Sequence, residues 1–295
     1  MSELLSLFDE LIDAKMNKKE EVILVMYDLS AAFDTVSPEV LLDKLQVYGW
    51  DKPSMSWINS YLKERKQAVA INGKVSEELE ISLGTPQGSR LSPLLFLVLM
   101  SDLDLCTNKS TLTNFADDTQ TCVISDSKEE SIKIAQEESQ EVIRFFEGVN
   151  LVNNADKAAL LYNSKGKGEE ITVENVGGVR LKSKKSDKLL GLHINSNFEW
   201  NTHVDKLLIT LKQRLGMLKR ISTKIPRHKL KIFAESIFNS KIRYGIAVYG
   251  IHTSIYPRSL KKLPKHLFSV PKYGLKLELQ QIKFKIKLKH FGQGL

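Results

Sequence analysis

The chain has 295 residues, 42% of them hydrophobic and 26% charged, a folded composition that excludes a disordered or fibrous protein as a general description. Two cysteines, Cys106 and Cys122, are too few for a disulfide framework or a Cys-rich zinc finger, and a reducing compartment fits them. The formal net charge of +8 hides an asymmetry: residues 1–200 hold 22 Lys and Arg against 32 Asp and Glu, while residues 201–295 hold 21 against 3, a net +18 that suits a polyanionic partner.

Residues 1–15 read as a short amphipathic helix with Leu4, Leu5, Phe8, Leu11 and Ile12 on one face, and its acids Glu3, Asp9, Glu10 and Asp13 do not fit a signal peptide. The apolar run over residues 22–27 predicts a buried strand that ends at Asp28. Ser37-Pro38-Glu39 supplies an N-cap, a proline in the first turn and an early acid, so a helix is expected up to Gly49. A second helix is expected over residues 54–63, and residues 67–83 predict a hairpin turning at Asn72-Gly73. Residues 84–89 read as a loop. Residues 91–105 then form a helix that is apolar nearly all round at its start and should be buried. Its longest apolar run, residues 91–100, is well short of the roughly 20 residues that span a membrane, so an intracellular chain that does not cross a membrane is expected.

Further along, residues 111–125 predict two short strands joined at Asp117-Asp118, and residues 129–146 an exposed, charged helix. A hairpin-rich region occupies 153–194, with turn signals at Lys165-Gly166 and Gly177-Gly178. From His203 the pattern becomes helical: Val204, Leu207, Leu208, Leu211, Leu215, Leu218 and Ile221 share one face, and Pro226 opens another helix to about Ser240. The last 25 residues alternate basic and apolar positions and read as a strand or a tail. Trp50, Trp57 and Trp200 read as packing residues, and His193 and His203, ten apart with no Cys partner, do not read as metal ligands.

The densest chemistry lies in three aspartates: Asp28 at the end of a buried strand, and the Asp117-Asp118 pair at the tip of a second strand pair. Carboxylates gathered at strand ends repel one another unless a cation neutralises them, and oxygen-only ligands suit Mg²⁺. Two such ions about 3.5–4 Å apart activate an attacking hydroxyl and stabilise a leaving pyrophosphate. An isolated Asp-Asp pair is more often a turn dipeptide, so the surrounding residues carry the decision.

Those residues are Asp28-Leu29-Ser30-Ala31-Ala32-Phe33-Asp34, then Gly84-Thr85-Pro86-Gln87-Gly88-Ser89-Arg90-Leu91-Ser92-Pro93-Leu94-Leu95-Phe96, then Phe115-Ala116-Asp117-Asp118-Thr119-Gln120. In this order they resemble motifs A, B and C of the reverse transcriptases of non-LTR retrotransposons, of the jockey kind. Asn154-Ala155-Asp156-Lys157 resembles motif D, and residues 188–192 with Trp200 and His203 resemble the primer-grip segment and the stretch C-terminal to it. The likeness extends over about residues 1–250.

The resemblance implies an RNA-directed DNA polymerase domain that transfers deoxynucleotides to a primer 3′ hydroxyl. Asp28 and Asp117 would bridge two Mg²⁺ ions (Mn²⁺ as a substitute), with Asp118 as a further ligand and the Leu29 carbonyl completing one shell. Phe33 corresponds to the steric gate against a ribose 2′-OH, which argues against a viral RNA-directed RNA polymerase. Gln87 and Gly88 would line the nucleotide pocket, Lys157 would protonate the pyrophosphate or stabilise its charge, and Leu190 and Gly191 would form the primer grip. The implied partners are an RNA template, a DNA primer, their RNA/DNA duplex and deoxynucleoside triphosphates.

The expected fold is an α+β polymerase palm, an antiparallel sheet with helices on one face, followed by a helical thumb. Residues 1–21 would be an N-terminal helix left from the fingers, 22–200 the palm, 201–250 a basic thumb and 251–295 a basic tail. Only 27 residues precede Asp28, so the fingers are expected to be largely absent, and Ala158 stands where the family commonly has threonine. The alternative reading is a non-catalytic remnant of such an element that at most binds nucleic acid.

Overall fold

The computed structural model describes residues 6–11, 14, 21–164, 170–222 and 224–249. The turn expected at Lys165-Gly166 and the tail expected over 251–295 lie outside the described residues. The chain divides into two compact units, Asp9–Lys185 and a second made of Met1–Phe8 with Ser186–Leu295. None of the described helices is long and apolar enough to cross a membrane.

The first unit is built around β1 (Glu21–Tyr27), all seven residues of which are buried. It pairs antiparallel with β7 (Asp118–Ser125) on one edge and with β8 (Ala159–Ser164) on the other. Strand β6 (Thr111–Phe115) completes a four-stranded antiparallel sheet in the order β6-β7-β1-β8. An apolar run with no polar alternation suits this central position, since both faces of the strand are covered. Ile23, Val25 and Tyr27 belong to the main core, which also holds Leu41 and Leu45 of α1 (Pro38–Val47) and Ile58 and Leu62 of α2 (Lys52–Leu62).

The side chain of Ser37 caps α1 on the Val40 N–H, as the Ser-Pro-Glu start predicts, and Asp51 caps α2 on the Ser54 N–H. Two small antiparallel pairs come next, β2 (Arg65–Gln67) with β5 (Leu79–Ile81) and β3 (Ala70–Ile71) with β4 (Lys74–Val75). The inner pair turns at Asn72 and Gly73, both with positive φ, as the sequence signal requires. Helix α3 (Ser92–Leu99) is shorter than expected and is followed by a 3₁₀ turn over Leu103–Cys106. It is not buried all round: Leu95, Phe96 and Leu99 are in the core, while Leu94 and Leu97 are more than half exposed. Asp102 ends the apolar run, ion-paired with Lys44 of α1.

The strands β6 and β7 join at Ala116-Asp117, not at Asp117-Asp118 as expected, because Asp118 pairs with Phe115 as the first residue of β7. Helix α4 (Lys128–Gly148) is also a correction. Its outer face is charged, but Ile134, Ala135, Val142, Ile143 and Phe146 form a buried stripe against β1, β7 and β9 (Thr172–Val176). Strand β9 pairs with β10 (Val179–Lys182) across the Gly177-Gly178 turn.

Two successive residues of α4 fix polar groups below it. Ser139 Oγ lies 2.9 Å from the buried Tyr27 hydroxyl, which also meets Thr121 Oγ1 at 3.1 Å, and burial pushes the phenol pKa up to about 12. Glu138 accepts the backbone N–H groups of Asn108, Lys109 and Ser110 at 2.9, 2.7 and 3.0 Å, so its carboxylate anchors the loop from which β6 starts.

The second unit begins with the hairpin β11 (Ser186–Leu189) and β12 (Leu192–Asn195), followed by α5 (Asn201–Ile221), α6 (Arg227–Arg243) and α7 (Ile246–Tyr249). Leu208, Leu211 and Leu218 of α5 pack with Ala234, Phe238 and Ile242 of α6, as the predicted apolar face requires. The hairpin packs on α5, and Tyr244 donates its hydroxyl to Leu190 O at 2.5 Å, which places the hairpin in this unit. Trp200 is buried and meets Phe8 edge-on at 4.8 Å. By contrast Trp57 is 57% and Trp50 44% exposed, against expectation. The buried face of α2 is set by Ile58 and Leu62, and Trp57 lies one residue, about 100°, away from it.

Replacing Glu138 by alanine leaves three backbone donors without their acceptor, and a loss of about 3 kcal/mol is expected in urea unfolding, with Glu138→Gln recovering part of it. His203 gives a pH dependence of known sign. Burial, and secondarily His193, lowers its pKa from 6.5 to about 4. Between these values the unfolded chain binds a proton that the folded one does not, so stability should fall as pH drops from about 6.5 towards 4. The His203→Gln variant should show a flatter urea midpoint across that window.

Candidate active site

Asp28 is the first residue after β1. The register pairs Tyr27 with Thr119, and one further step brings Asp28 level with Asp118 at the start of β7. Asp117 is the second residue of the adjoining two-residue turn, and both hairpin aspartates are exposed. The turn is tight because Ala116 adopts a left-handed conformation, φ 56°, which costs an L-residue about 1–2 kcal/mol. Strain of this kind persists where the surrounding pairing imposes it, here the antiparallel ladder of β6 and β7.

Past Asp28 the chain pairs with the segment that leads to β8. Asn154 N–H donates to Asp28 O at 2.7 Å, Ser30 N–H to Val152 O at 2.8 Å, and the buried Leu29 bridges to Asn153. The pairing brings Lys157 to Asp28: its Nζ lies 3.3 Å from Oδ2. That oxygen is buried and accepts no hydrogen bond, although the rest of the carboxylate reaches solvent. Nearby, both polar atoms of the Asn153 amide are likewise buried without a partner.

The second wall of the site is a pair of strapped loops. Ala31 is left-handed at φ 47°, and Asp34 N–H returns to Ala31 O at 2.7 Å. Phe33 then lies on Phe96 of α3, with centroids 4.6 Å apart. Thr85 N–H donates to Phe33 O at 2.8 Å and Gly84 N–H to Val36 O at 2.7 Å, which fixes the 84–90 loop to the Asp28–Asp34 segment. Gln87 donates its amide to Asp34 Oδ1 at 2.8 Å and Oδ2 at 3.1 Å, and Gly88 beside it is exposed with open space around its Cα. Arg65 holds the carbonyls of Leu83 and Gly84 at 2.6 Å each, and Tyr61 donates to Ser89.

The structure therefore brings Asp28 and Lys157 together, sets the Asp117-Asp118 tip level with Asp28, and assembles Phe33 with Gln87 through the strapped loops. Leu190 and Gly191 lie in the other unit, as the turn of the β11–β12 hairpin. Among the described residues no group of three or more His, Cys, Asp or Glu side chains is arranged to hold a metal ion. The donor chemistry nonetheless fits a hard divalent cation: the three aspartates offer oxygen alone, and the buried Asp28 Oδ2 has the Lys157 ammonium as its ion-pair partner.

Asp34 and Gly84 lie within the motif strings, but local sequence reasoning assigns them no role. Asp34 orients Gln87. A Cβ on Gly84 would lie 2.7–2.9 Å from the backbone of Asp34, so only glycine admits this approach. Gly84→Ala should cost about 2–3 kcal/mol in thermal unfolding, and the Thr85 amide should lose hydrogen-exchange protection as its loop separates from Phe33.

A model of the family described as Reverse transcriptase (RNA-dependent DNA polymerase) matches residues 1–194. The RNA-directed DNA polymerase from the mobile element jockey of Drosophila melanogaster is 27% identical over 254 residues, covering 80% of this chain and 27% of that protein. The probable RNA-directed DNA polymerase from transposon BS of the same organism is 26% identical over 246 residues, covering 79% and 27%. The chain thus spans about a quarter of the length of these relatives. Among solved structures, the telomerase of Candida tropicalis in complex with the TWJ fragment of telomeric RNA aligns at a TM-score of 0.48 with 11% identity, covering 96% of this chain and 49% of that one.

Proposed function

The chain belongs to the reverse transcriptase family, and we propose that it is the nucleotidyl-transfer portion of a non-LTR retrotransposon RNA-directed DNA polymerase. The observation that carries the reading is the carboxylate of Asp28. It stands where the buried central strand reaches solvent, level with Asp118 beside the Ala116-Asp117 turn, with its buried Oδ2 ion-paired to Lys157.

In this reading Asp28, Asp117 and Asp118 hold two Mg²⁺ ions, which when bound supply charge neutralisation at the attacking and leaving oxygens. The chain's own residues do the rest. Phe33, backed by Phe96, fills the space beside the sugar 2′ position and so selects deoxynucleotides. Gln87, held by Asp34, presents a fixed amide edge to the incoming nucleotide, and Gly88 leaves room for its approach. Lys157 carries the proton or the positive charge required as pyrophosphate departs, and Asp28 keeps its ammonium group in place beforehand. Positioning of this kind accounts for much of phosphoryl-transfer catalysis. The basic C-terminal third of the chain, with its net +18 over residues 201–295, would hold the RNA/DNA duplex through its phosphates in a salt-dependent, sequence-independent manner.

Primer extension on primed RNA with deoxynucleotides and Mg²⁺ tests this reading. Asp117→Asn should reduce extension to background, whereas Phe33→Val should keep deoxynucleotide incorporation and admit ribonucleotides. Calorimetric titration with Mn²⁺ gives a readout without turnover, and Asp28→Asn should weaken binding at least tenfold. Extension that survives Asp117→Asn would remove the carboxylates from the mechanism.

A further inference from the structure

The second unit contains a cavity of about 360 Å³ between the β11–β12 turn and helices α5 and α6. Lys188, Lys206 and Lys241 line it together with His193, His203 and Tyr244, and no carboxylate does. Three exposed lysines lining one volume concentrate positive charge there, an arrangement that an anion relieves. The turn at its rim is strained: Leu190 is left-handed at φ 45°, and a Cβ on Gly191 would lie 3.1 Å from the Tyr244 ring. The carbonyl of Leu190 is held by the Tyr244 hydroxyl.

His203 supplies an independent pointer to a ligand. It is only 8% exposed, yet its Nε2 has no hydrogen-bond partner. Its Nδ1 accepts the His193 backbone N–H at 3.3 Å, so the neutral ring carries its hydrogen on Nε2. The His203 ring is in the cavity wall, and a buried donor left without an acceptor is costly. His193 is fixed in turn, its Nδ1 facing the Lys206 ammonium at 3.2 Å.

The geometry points to a binding site for a terminal phosphate monoester, with the three lysines around its oxygens and the His203 ring in its wall. A monoester carries about −1.5 to −2 charge at neutral pH, against the single charge of an internal phosphodiester, and so matches a cavity lined by three lysines and no carboxylate better. The volume lies at the small end of the ~300–1,000 Å³ typical of ligand sites, with room for the phosphate and the sugar that bears it. The 5′-phosphate end of a nucleic acid strand and a free nucleoside monophosphate share this chemistry. The inference rests on the second unit alone and uses nothing of the chemistry proposed for Asp28.

The test is fluorescence anisotropy on the whole chain in EDTA, without deoxynucleotides, using a short single strand labelled at its 3′ end and carrying either a 5′-phosphate or a 5′-hydroxyl. The phosphorylated strand should bind at least tenfold more tightly at equal salt. Lys241→Gln, a change at an exposed position, should reduce that preference below threefold, and His203→Gln, whose amide can still donate, should reduce it less. Displacement by adenosine 5′-monophosphate would identify a free nucleotide as a ligand, and its failure to compete would identify the strand end. Equal affinity for the two strands, or a preference that Lys241→Gln leaves intact, would overturn the proposal.

Discussion

The pairing of β1 on both edges governs the first unit. With β7 on one side and β8 on the other, and all seven residues buried, the strand has no freedom to slip, because a shift of one residue would exchange the side chains that meet α4 for those on the opposite face. Asp28 is therefore fixed as the point where the buried strand meets solvent. The same ladder fixes the start of β7, and with it the turn that carries Asp117. A carboxylate at the end of a rigid buried strand is positioned by the packing of the whole sheet rather than by a mobile loop.

Around that strand the polar groups act as anchors. Glu138 and Ser139, adjacent on α4, secure respectively the loop entering β6 and the hydroxyl of Tyr27 at the end of β1. The 84–90 loop is tied to the segment after Asp28 by backbone bonds to Phe33 and Val36, and from α2 and the residues after it by Tyr61 and Arg65. Loops held from several directions keep Phe33 and Gln87 close to fixed geometry, the property that the proposed nucleotide transfer would demand of them.

The second unit is organised on a different principle. Its core is a leucine-rich seam between α5 and α6, beside which His203 Nε2 is buried and unpartnered, and three exposed lysines line one cavity. Positive charge is concentrated where apolar packing is narrow, so the long basic side chains stand outward from the seam with their charged ends in water. Left-handed backbone appears in both units at two-residue hairpin turns, among them Asn72-Gly73, Ala116-Asp117 and Leu190-Gly191.

The sequence by itself determined the central strand, the Ser37 cap, the Asn72-Gly73 turn, the apolar face of α5 and the motifs that place the chain in its family. Each of these is a local signal of periodicity, turn chemistry or an ordered string of residues. Only the tertiary structure decided that α4 is half-buried, that Trp50 and Trp57 lie outside the core while Trp200 lies inside, and that the hairpin of Leu190 and Gly191 packs with the helices C-terminal to it. It alone put Lys157 beside Asp28, Gln87 on Asp34 and Gly84 against the backbone of Asp34. The members of each pair are far apart along the chain, and no local pattern encodes their meeting. They come together through the order in which β8, β1 and β7 lie side by side, and through loops that meet because the core beneath them closes.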